Sequence, residues 1–435
     1  MKALDDFSVT QPDVRREPWE YYARMRSEDP VHFDTAAHSW LVTRYEDVAE
    51  LARMTGNGVI SQEFGWDQML VPWQHEVDEM MIREGFGIYR LSDNFKVDPP
   101  VHTFRRKLLQ QALTPQRVAG LEGPISERVR DLIDKFIYRG EVEIVSEFTV
   151  PLSLSIIAEL LNIPLDRMPD MYRWSNASVG FFDHAVQKEQ HLIYARDIVD
   201  FQHFMVPELG KARASPGNDL ISAMVHAHDE NGVGFTQREL LSISLGLMTA
   251  GNETTRNAMS FGIIVLAQQP QILAELQTAQ SRDRTIQNFI EEVLRYQPPV
   301  AQLPRSALHD CEIGGQRIKN GDFILACWAS ANHDETKFPA PEAFRLQRAN
   351  ARQHMSFGSG ITFCLGAALA SLEMKCAFRA IVERLGDIRL QISAAEVEIW
   401  CTSIFRGPLA VPVSFTRRDG SVSAKRVGNL NNGIS

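Results

Sequence analysis

The chain has 435 residues, enough for a large hydrophobic core, and a net charge of -10 with a pI of about 5.7. This acidic balance argues against a nucleic-acid partner, because chains that bind nucleic acid concentrate lysine and arginine on one face. No apolar run approaches about 18 residues and none follows Met1, so we expect neither a membrane-spanning helix nor a secretory signal.

The five cysteines are odd in number and form no close pair, which is typical of reduced thiols in a cytoplasmic protein. No linker rich in Gly, Ser or Pro divides the chain. We therefore expect a single domain over residues 1–415, followed by a mobile tail over 416–435, where periodicity is lost. Nothing in the sequence calls for more than a monomer.

Helical periodicity dominates the chain. Amphipathic helices are predicted, in chain order, over residues 18–25, 45–54, 104–113, 125–136, 152–161 and 192–209. Short strands are predicted over residues 31–33, 40–42, 312–313, 316–318, 323–326 and 410–415. The Gly314-Gly315 pair indicates a hairpin turn between two of these strands. The predicted fold class is mainly α with small β-sheets.

The longest predicted helix begins with a capping box, in which Thr236 is the N-cap and Glu239 reaches back to it. Its apolar pattern continues to Leu266, about thirty residues or roughly 45 Å. Because most of its faces are apolar, we expect it to be central. Its middle reads Ala250-Gly251-Asn252-Glu253-Thr254-Thr255. Glycine and threonine are poor helix formers, so a local distortion is predicted there.

A glycine-rich loop ends in a single cysteine near the C-terminus. Residues 357–366 read Phe-Gly-Ser-Gly-Ile-Thr-Phe-Cys-Leu-Gly, and a helix is predicted over 365–385. The glycines let backbone N–H groups turn toward the Cys364 sulfur, and the helix start favours a thiolate. Such a thiolate can be an axial ligand of haem iron. A lone cysteine is also often a small buried hydrophobic residue, and the loop alone leaves both interpretations open.

Four segments, in order, resemble the motifs of the cytochrome P450 family. The loop 357–366 is similar to its haem-ligand signature, and Ala250-Gly251-Asn252-Glu253-Thr254 to its oxygen-activation motif. Glu292-Val293-Leu294-Arg295 resembles its Glu-x-x-Arg helix. Residues 98–106, Asp-Pro-Pro-Val-His-Thr-Phe-Arg-Arg, resemble the helix at the haem edge in soluble bacterial members. The resemblance runs nearly end to end and implies the cytochrome P450 fold, with a long central helix over haem b.

The resemblance also assigns residues to the haem. Cys364 is the implied iron ligand, with Phe357, Gly358 and Gly366 around it, although Phe357 also fits ordinary core packing. The implied partners of the anionic haem propionates are His102, Arg106, Arg305 and His354. Two residues before the cysteine the family usually carries His or Arg, and this chain has Thr362. One propionate contact is therefore expected to be weakened or replaced.

Glu253 and Thr254 are implied to be an acid–alcohol pair that supplies the protons needed to split dioxygen. In other proteins a helical threonine more often bonds its own backbone, and a glutamate in mid-helix is usually solvated. Glu292 and Arg295, on one helix face, are expected to pair with Arg348 and to hold the fold together.

The resemblance places a substrate pocket among apolar residues: Phe181, Leu247, Ala250, Val300, Ala301 and Ile404. Such a cleft suits a hydrophobic small molecule, and a terpenoid, steroid, fatty acid or polyketide is compatible with it. Arg83, Arg90 and His184 are candidate anchors for a substrate carboxylate, although nothing in the sequence requires one.

The implied function is a haem-thiolate monooxygenase that uses dioxygen and receives electrons from an external ferredoxin and its reductase. A positive rim for the donor is expected at Arg105, Lys107, Arg352, Lys375 and Arg379, where scattered solvated charge is an equal alternative. Two other functions stay open: a peroxide-using haem-thiolate peroxygenase, and a haem-based sensor or carrier. The intact Glu253-Thr254 pair argues against the first, and the lack of an output module in the sequence argues against the second.

Overall fold

The computed structural model describes residues 3–94, 96–183 and 186–418. Over these residues the chain is mainly helical. Its α-helices are α1 Pro12–Arg16, α2 Trp19–Glu28, α3 Tyr45–Met54, α4 Glu63–Asp67, α5 Gln74–Glu84, α6 Val101–Ala112, α7 Pro115–Gly120, α8 Glu122–Phe136, α9 Val150–Leu160, α10 Met168–Gly180, α11 Lys188–Ala214, α12 Leu220–Val225, α13 Gln237–Gln268, α14 Pro270–Thr278, α15 Arg282–Tyr296, α16 Trp328–Ala331 and α17 Ala367–Arg384.

The strands are short and form small sheets. They are β1 Val31–Asp34, β2 Ser39–Val42, β3 Ile60–Ser61, β4 Glu141–Glu143, β5 Leu303–Ala307, β6 Cys311–Ile313, β7 Gln316–Ile318, β8 Phe323–Ala326, β9 Leu385–Leu390, β10 Ile399–Cys401, β11 Arg406–Pro408 and β12 Pro412–Arg417. One sheet has the order β1-β2-β8-β5-β3 and another β4-β12-β9, while β6-β7 and β10-β11 are hairpins. The predicted fold class, mainly α with small sheets, is confirmed.

The predicted helices and strands are all present, with α3, β7 and β8 at the predicted bounds. The other bounds differ by one to five residues, most at α11, which is predicted over 192–209 and extends over Lys188–Ala214. At the last two predicted elements the difference has a cause in the sheets. The final helix stops at Arg384, because Leu385 already pairs with Arg417 between β9 and β12. For the same reason the predicted tail does not begin at Thr416, which pairs with Gly386. Residues 419–435 of that tail lie outside the described part of the chain.

The central helix α13 begins at the predicted capping box. Thr236 Oγ1 accepts from Glu239 N at 3.2 Å, and Glu239 Oε2 accepts from Thr236 N at 2.7 Å. The predicted distortion is wrong, because α13 is α-helical from Gln237 to Gln268. Glycine at 251 serves packing instead: a Cβ there would lie 2.3 Å from Ile157 Cδ1 of α9. The glycine allows α9 and α13 to approach closely.

The apolar core has one large helical cluster and smaller clusters at the sheets. Helices α8 to α15 and α17 contribute to the large cluster, and α3 packs on the five-stranded sheet in a second one. Among the described residues, no helix has both the length and the apolar character required to span a bilayer.

A buried charge network joins α15 to the segment that follows α16. Arg295 donates to both oxygens of Glu292, from Nε at 2.8 Å and Nη2 at 2.9 Å. Arg348 Nε donates to Glu292 Oε1 at 2.9 Å, and the other guanidinium nitrogens reach backbone carbonyls. We call Glu292, Arg295 and Arg348 the internal charge group. It matches the predicted fold-holding network.

Candidate active site

A cavity of about 280 Å³ lies against α6, α13, α17 and the cysteine loop, and its wall is mostly apolar. The two next cavities found among the described residues have about 10 and 20 Å³. The predicted site residues on the wall of the large one are His102, Arg106, Leu247, Ala250, Thr254, Val300, Phe357, Gly358, Cys364, Gly366 and Ile404. The structure therefore brings residues from distant parts of the chain to one cavity.

Backbone conformation and hydrogen bonds of the cysteine loop position the Cys364 thiol. Gly358 has φ +71°, which favours glycine, and Cys364 N donates to Phe357 O at 2.8 Å. Helix α17 begins after the thiol, and the backbone N–H groups of Gly366 and Ala367 lower the pKa of Cys364. Burial raises the pKa of Cys364, and these two donors oppose that rise. A cation bound at the sulfur would complete the stabilisation of the thiolate.

Three basic residues lie at this cavity or directly behind its wall, and none of them has a hydrogen bond to a described carboxylate. His102 is 3% exposed, and its Nδ1 has no hydrogen-bond partner among the described residues. Arg106, one turn later on α6, has neither hydrogen bond nor ion pair with a described residue. Arg305 of β5 donates to Thr55 Oγ1 at 3.0 Å and to Pro304 O at 2.7 Å. We call His102, Arg106 and Arg305 the edge cations.

Burial shapes the charge of the edge cations. It lowers the pKa of Arg305 to about 10, and it lowers the pKa of His102, which Arg106 lowers further. Arg305 is not on the cavity wall. Its Nη2 donates at 3.4 Å to Oγ1 of Thr362, and Thr362 is on the wall. The Asp98 carboxylate opposes both pKa shifts from nearby, but its oxygens accept from Ser61 and Gln62, so a bound anion would add a direct partner.

His354, the fourth predicted propionate contact, does not reach the wall. Its Nε2 lies 3.2 Å from Glu291 Oε2, and its Nδ1 accepts from Ser356 N at 3.1 Å. The structure therefore uses this histidine within the protein. The sequence pattern missed the competing carboxylate because Glu291 is distant from His354 along the chain.

The acid and the alcohol of α13 face different surroundings. Thr254 is on the cavity wall, where its Oγ1 donates to Ala250 O at 2.7 Å. Glu253 is fully buried behind the wall, and Arg256 Nη2 donates to its Oε2 at 2.5 Å. Burial raises the pKa of Glu253, and Arg256 opposes the rise. The predicted pair is thus adjacent in sequence, but only its hydroxyl lies at the cavity.

Two predicted substrate contacts lie elsewhere. Phe181 is 1% exposed and packs in the core, with its ring 4.5 Å from that of His191. The next residue, Phe182, lies on the wall instead, 6.0 Å from the Trp66 ring. Ala301 packs with the N-terminal helices, and its N donates to Ile404 O at 2.8 Å. A helix end fixes which of two successive phenylalanines faces inward, and that end was not predicted.

The candidate carboxylate anchors do not line the cavity. Arg90 Nη1 donates to Asp78 Oδ1 at 2.9 Å, and Arg83 is an exposed partner of Glu84 at 2.6 Å. His184 lies outside the described residues. Both described arginines are paired on the protein surface or close to it, so neither is placed to hold a substrate.

Two titratable residues on the wall, Glu373 and Lys96, are not among the predicted site residues. Glu373 of α17 is 1% exposed, its Oε2 has no hydrogen-bond partner among the described residues, and burial raises its pKa well above the usual range. A carboxylate on the apolar face of a predicted helix was the available indication. Lys96 lies in a loop before α6, where no periodic pattern indicates a direction.

The residues present fit haem b. Cys364 offers sulfur to iron, the apolar wall suits a porphyrin, and the edge cations suit its two carboxylates. His102 Nδ1 and the guanidinium of Arg106 are the groups left for such an anion.

Comparisons with known proteins agree with this geometry. The family model described as Cytochrome P450 matches residues 154–386. The chain is 32% identical over 414 residues to the polyketide biosynthesis cytochrome P450 PksS of Bacillus subtilis, covering 93% of this chain and 97% of that protein. It is 31% identical over 388 residues to linalool 8-monooxygenase of Pseudomonas putida, covering 88% and 93%.

A solved structure supports the same assignment. Cytochrome P450 CYP109Q5 from Chondromyces apiculatus superposes with a TM-score of 0.82 at 31% identity, covering 96% of this chain and all of the other. Its coverage includes the regions before residue 154 and after residue 386. The chain thus belongs to the cytochrome P450 family, which binds haem b, and is an oxygen-incorporating oxidoreductase that acts on a small molecule.

Proposed function

We propose that this monooxygenase oxidises a hydrophobic small molecule of the terpenoid, steroid, fatty acid or polyketide class, with electrons from an external ferredoxin. The observation that carries the proposal is one cavity whose wall includes Cys364, Thr254 and apolar side chains. Bound on the Cys364 thiolate, haem b supplies the activation of dioxygen.

The side chains of the wall bind and orient the substrate. Phe182, Leu247, Val300 and Ile404 present carbon surface to the cavity, so burial of apolar substrate area drives binding and excludes water. The relatives' names support a substrate of this kind without choosing one, since one acts in polyketide biosynthesis and another on linalool. Since Arg83 and Arg90 are paired elsewhere, a charged substrate gains nothing from them.

Thr254 is the residue that handles protons at the wall. Its hydroxyl proton is now donated to Ala250 O, and a change of χ1 frees Oγ1 to hold a water beside the reacting oxygen. Glu253 relays protons only after its carboxylate leaves Arg256, because that ion pair holds it behind the wall. We therefore assign Thr254 as the catalytic alcohol and Glu253 as a gated acid.

For the electron donor we propose a smaller rim than the sequence indicates. Arg105 is buried and donates to Glu239 at 2.7 Å, which removes it from the surface. Arg379 and Lys375 share the carboxylate of Asp283 at 2.8 and 3.3 Å. Two exposed cations of the predicted rim remain, Lys107 and Arg352. An acidic ferredoxin would meet these two, with an effect mainly on the association rate.

The test is product formation with labelled dioxygen. Apolar candidates are first screened for a substrate-induced change in the haem absorbance, and the binders are turned over with a ferredoxin, its reductase and ¹⁸O₂. One labelled oxygen atom per product supports the proposal. Failure of every apolar binder to yield labelled product, with the electron-transfer chain active, contradicts it.

Thr254→Ala sharpens the same test. We expect it to keep haem and substrate binding but to release peroxide, with product per electron lowered about tenfold or more, since a positioned proton donor contributes about 10² or more. Ser260→Ala is the control, because its hydroxyl makes the same kind of bond, to Arg256 O at 2.8 Å, on the same helix but away from the cavity wall. Full coupling in Thr254→Ala would remove the assigned role.

A peroxygenase is the second candidate, and one observation favours it. Glu253 is bound to Arg256 and does not line the cavity, so the acid–alcohol argument against peroxide use is weaker than the sequence indicates. Product formation with hydrogen peroxide alone, at a rate matching the ferredoxin system, would support this candidate. A rate far below that system supports the monooxygenase.

A further inference from the structure

Lys96 is a cation on the cavity wall that no motif of the chain predicts. It lines the cavity together with Cys364, His102 and Arg106. Its charge lowers the pKa of His102, and the charges of Arg305 and Cys364 in turn affect its own. Lys96 therefore lies among the edge cations and close to the thiol.

The backbone at Lys96 is anchored on both sides. Its N donates to Asn94 Oδ1 at 2.9 Å, and Asn94 is 1% exposed. Arg105 Nη1 donates to the carbonyl of Asn94 at 2.7 Å. On the other side, Gln62 Nε2 donates to Val97 O at 2.6 Å. The fold thus fixes the backbone from which the Lys96 side chain extends, although the segment has no regular secondary structure.

Lys96 is in surroundings that favour an anion. Burial, followed by the neighbouring Arg305, lowers its pKa to about 8. Its Nζ lies 5.5 Å from the centroid of the Trp66 ring, a contact that suits a cation. A desolvated ammonium beside other cations is stabilised when a carboxylate lies between them.

The cysteine loop, residues 357–366, contains no basic residue. Thr362 stands where the family usually has His or Arg, and its Oγ1 accepts from Arg305 Nη2 at 3.4 Å. His354, the other basic residue expected near the loop, is held by Glu291. This part of the site is therefore short of one positive charge.

We propose that Lys96 binds a propionate carboxylate of the haem and supplies the positive charge that Thr362 lacks. The proposal rests on the proposed function, since it needs haem in the cavity. The chemistry recognised is a carboxylate, and a fatty acid substrate is the other source of one. The placement of Lys96 among His102, Arg305 and Cys364 favours the propionate.

The experiment measures haem release from the holoenzyme to excess apomyoglobin. Lys96→Met is expected to release haem roughly ten- to a hundredfold faster than the wild type, the range for one charge-assisted hydrogen bond. Lys96→Arg, which keeps the charge, is expected to stay close to the wild-type rate. Lys107→Met is the matched control, because Lys107 is exposed and one residue beyond Arg106. Equal rates for Lys96→Met and Lys107→Met would overturn the proposal, as would a Lys96→Arg variant that loses haem.

Thr362→His supplies the second arm. In the Lys96→Met background we expect it to restore most of the lost haem retention, and in the wild-type background to add little, because the position of the charge is already filled. An equal gain in both backgrounds would show independent sites and overturn the proposal.

Two further readouts separate the possible failures. If the reduced wild type with carbon monoxide shows the thiolate band but Lys96→Met releases haem at the wild-type rate, the role of Lys96 is wrong and the proposed function stands. If Lys96→Met keeps haem but binds dodecanoic acid more weakly, the contact belongs to the substrate and the proposal is wrong. Absence of the thiolate band in the wild type would reject the proposed function itself.

Discussion

Two groups of buried cations in this molecule differ in where their anion comes from. In the internal charge group, Arg295 and Arg348 share the carboxylate of Glu292 at 2.8 and 2.9 Å. Of the edge cations, His102 and Arg305 are buried and Arg106 is half-buried, yet no carboxylate hydrogen-bonds to Arg305 or Arg106 among the described residues. Removing a charge from water is costly in both cases, and among the described residues only the first group has a hydrogen-bonded carboxylate, while Asp98 acts on Arg305 and His102 without a direct bond. The second group is arranged for an anionic ligand.

Breaking the internal group should have the largest effect. Glu292→Ala leaves Arg295 and Arg348 buried without a carboxylate, which costs about 3–5 kcal/mol in comparable cases. We expect little folded, haem-loaded protein, measured by haem content and urea unfolding. Glu383→Ala is the control, because its pair with Arg282 at 3.4 Å is solvent-exposed and worth about 1 kcal/mol or less. Similar losses in the two variants would contradict the distinction.

Arg106→Met should have the opposite pattern, with a large effect on haem retention and a small one on stability. Since Arg106 has no partner among the described residues, its removal should leave the free energy of unfolding of the haem-free protein nearly unchanged. Haem release to apomyoglobin should be about tenfold faster, as expected for one lost charge-assisted contact. Arg317→Met, on the exposed β6-β7 hairpin, should change neither quantity. A loss of stability as large as that of Glu292→Ala would place Arg106 in the fold rather than in the site.

The buried ion pair of Glu253 and Arg256 is satisfied within the protein, as in the internal charge group, but it lies directly behind the cavity wall. Replacing Arg256 should therefore have a smaller effect than the two variants above, and the effect should appear in the pH profile of product formation. Burial raises the pKa of Glu253 and Arg256 lowers it, so Arg256→Met should raise that pKa further. A relay carboxylate is then protonated over a wider range, and the acid limb of product formation should move to higher pH. Arg256→Lys should move it less. An unchanged pH profile of product formation in Arg256→Met would show that Glu253 and Arg256 take no part in proton delivery.

The sequence predicts most of the fold because local rules decide it. The capping box at Thr236, the periodicity of α3 and the Gly314-Gly315 turn each specify an element without reference to distant residues. The errors lie where a distant strand competes, as at Leu385, which joins β9 rather than the preceding helix. The predicted distortion of α13 is absent, because Gly251 makes room for Ile157 of α9 rather than bending the helix.

The sequence predicts which motif residues reach the cavity, but it does not predict which charged side chains pair with one another. Cys364, Thr254, His102 and Arg106 lie at the cavity as expected, since each belongs to a motif with fixed spacing. The directions of the other side chains depend on residues far along the chain: Glu291 holds His354, and Asp78 holds Arg90. Spacing within one helix specifies a face, but it does not reveal which third residue competes for a charge.

The most direct test of the whole account is the absorbance of the purified, dithionite-reduced protein with carbon monoxide, compared with Cys364→Ala. We predict a Soret band at the position of thiolate ligation in the wild type and its loss in the variant. A band at the position of histidine ligation, or no haem in a folded protein, would contradict both Cys364 as the ligand and the edge cations as a haem site.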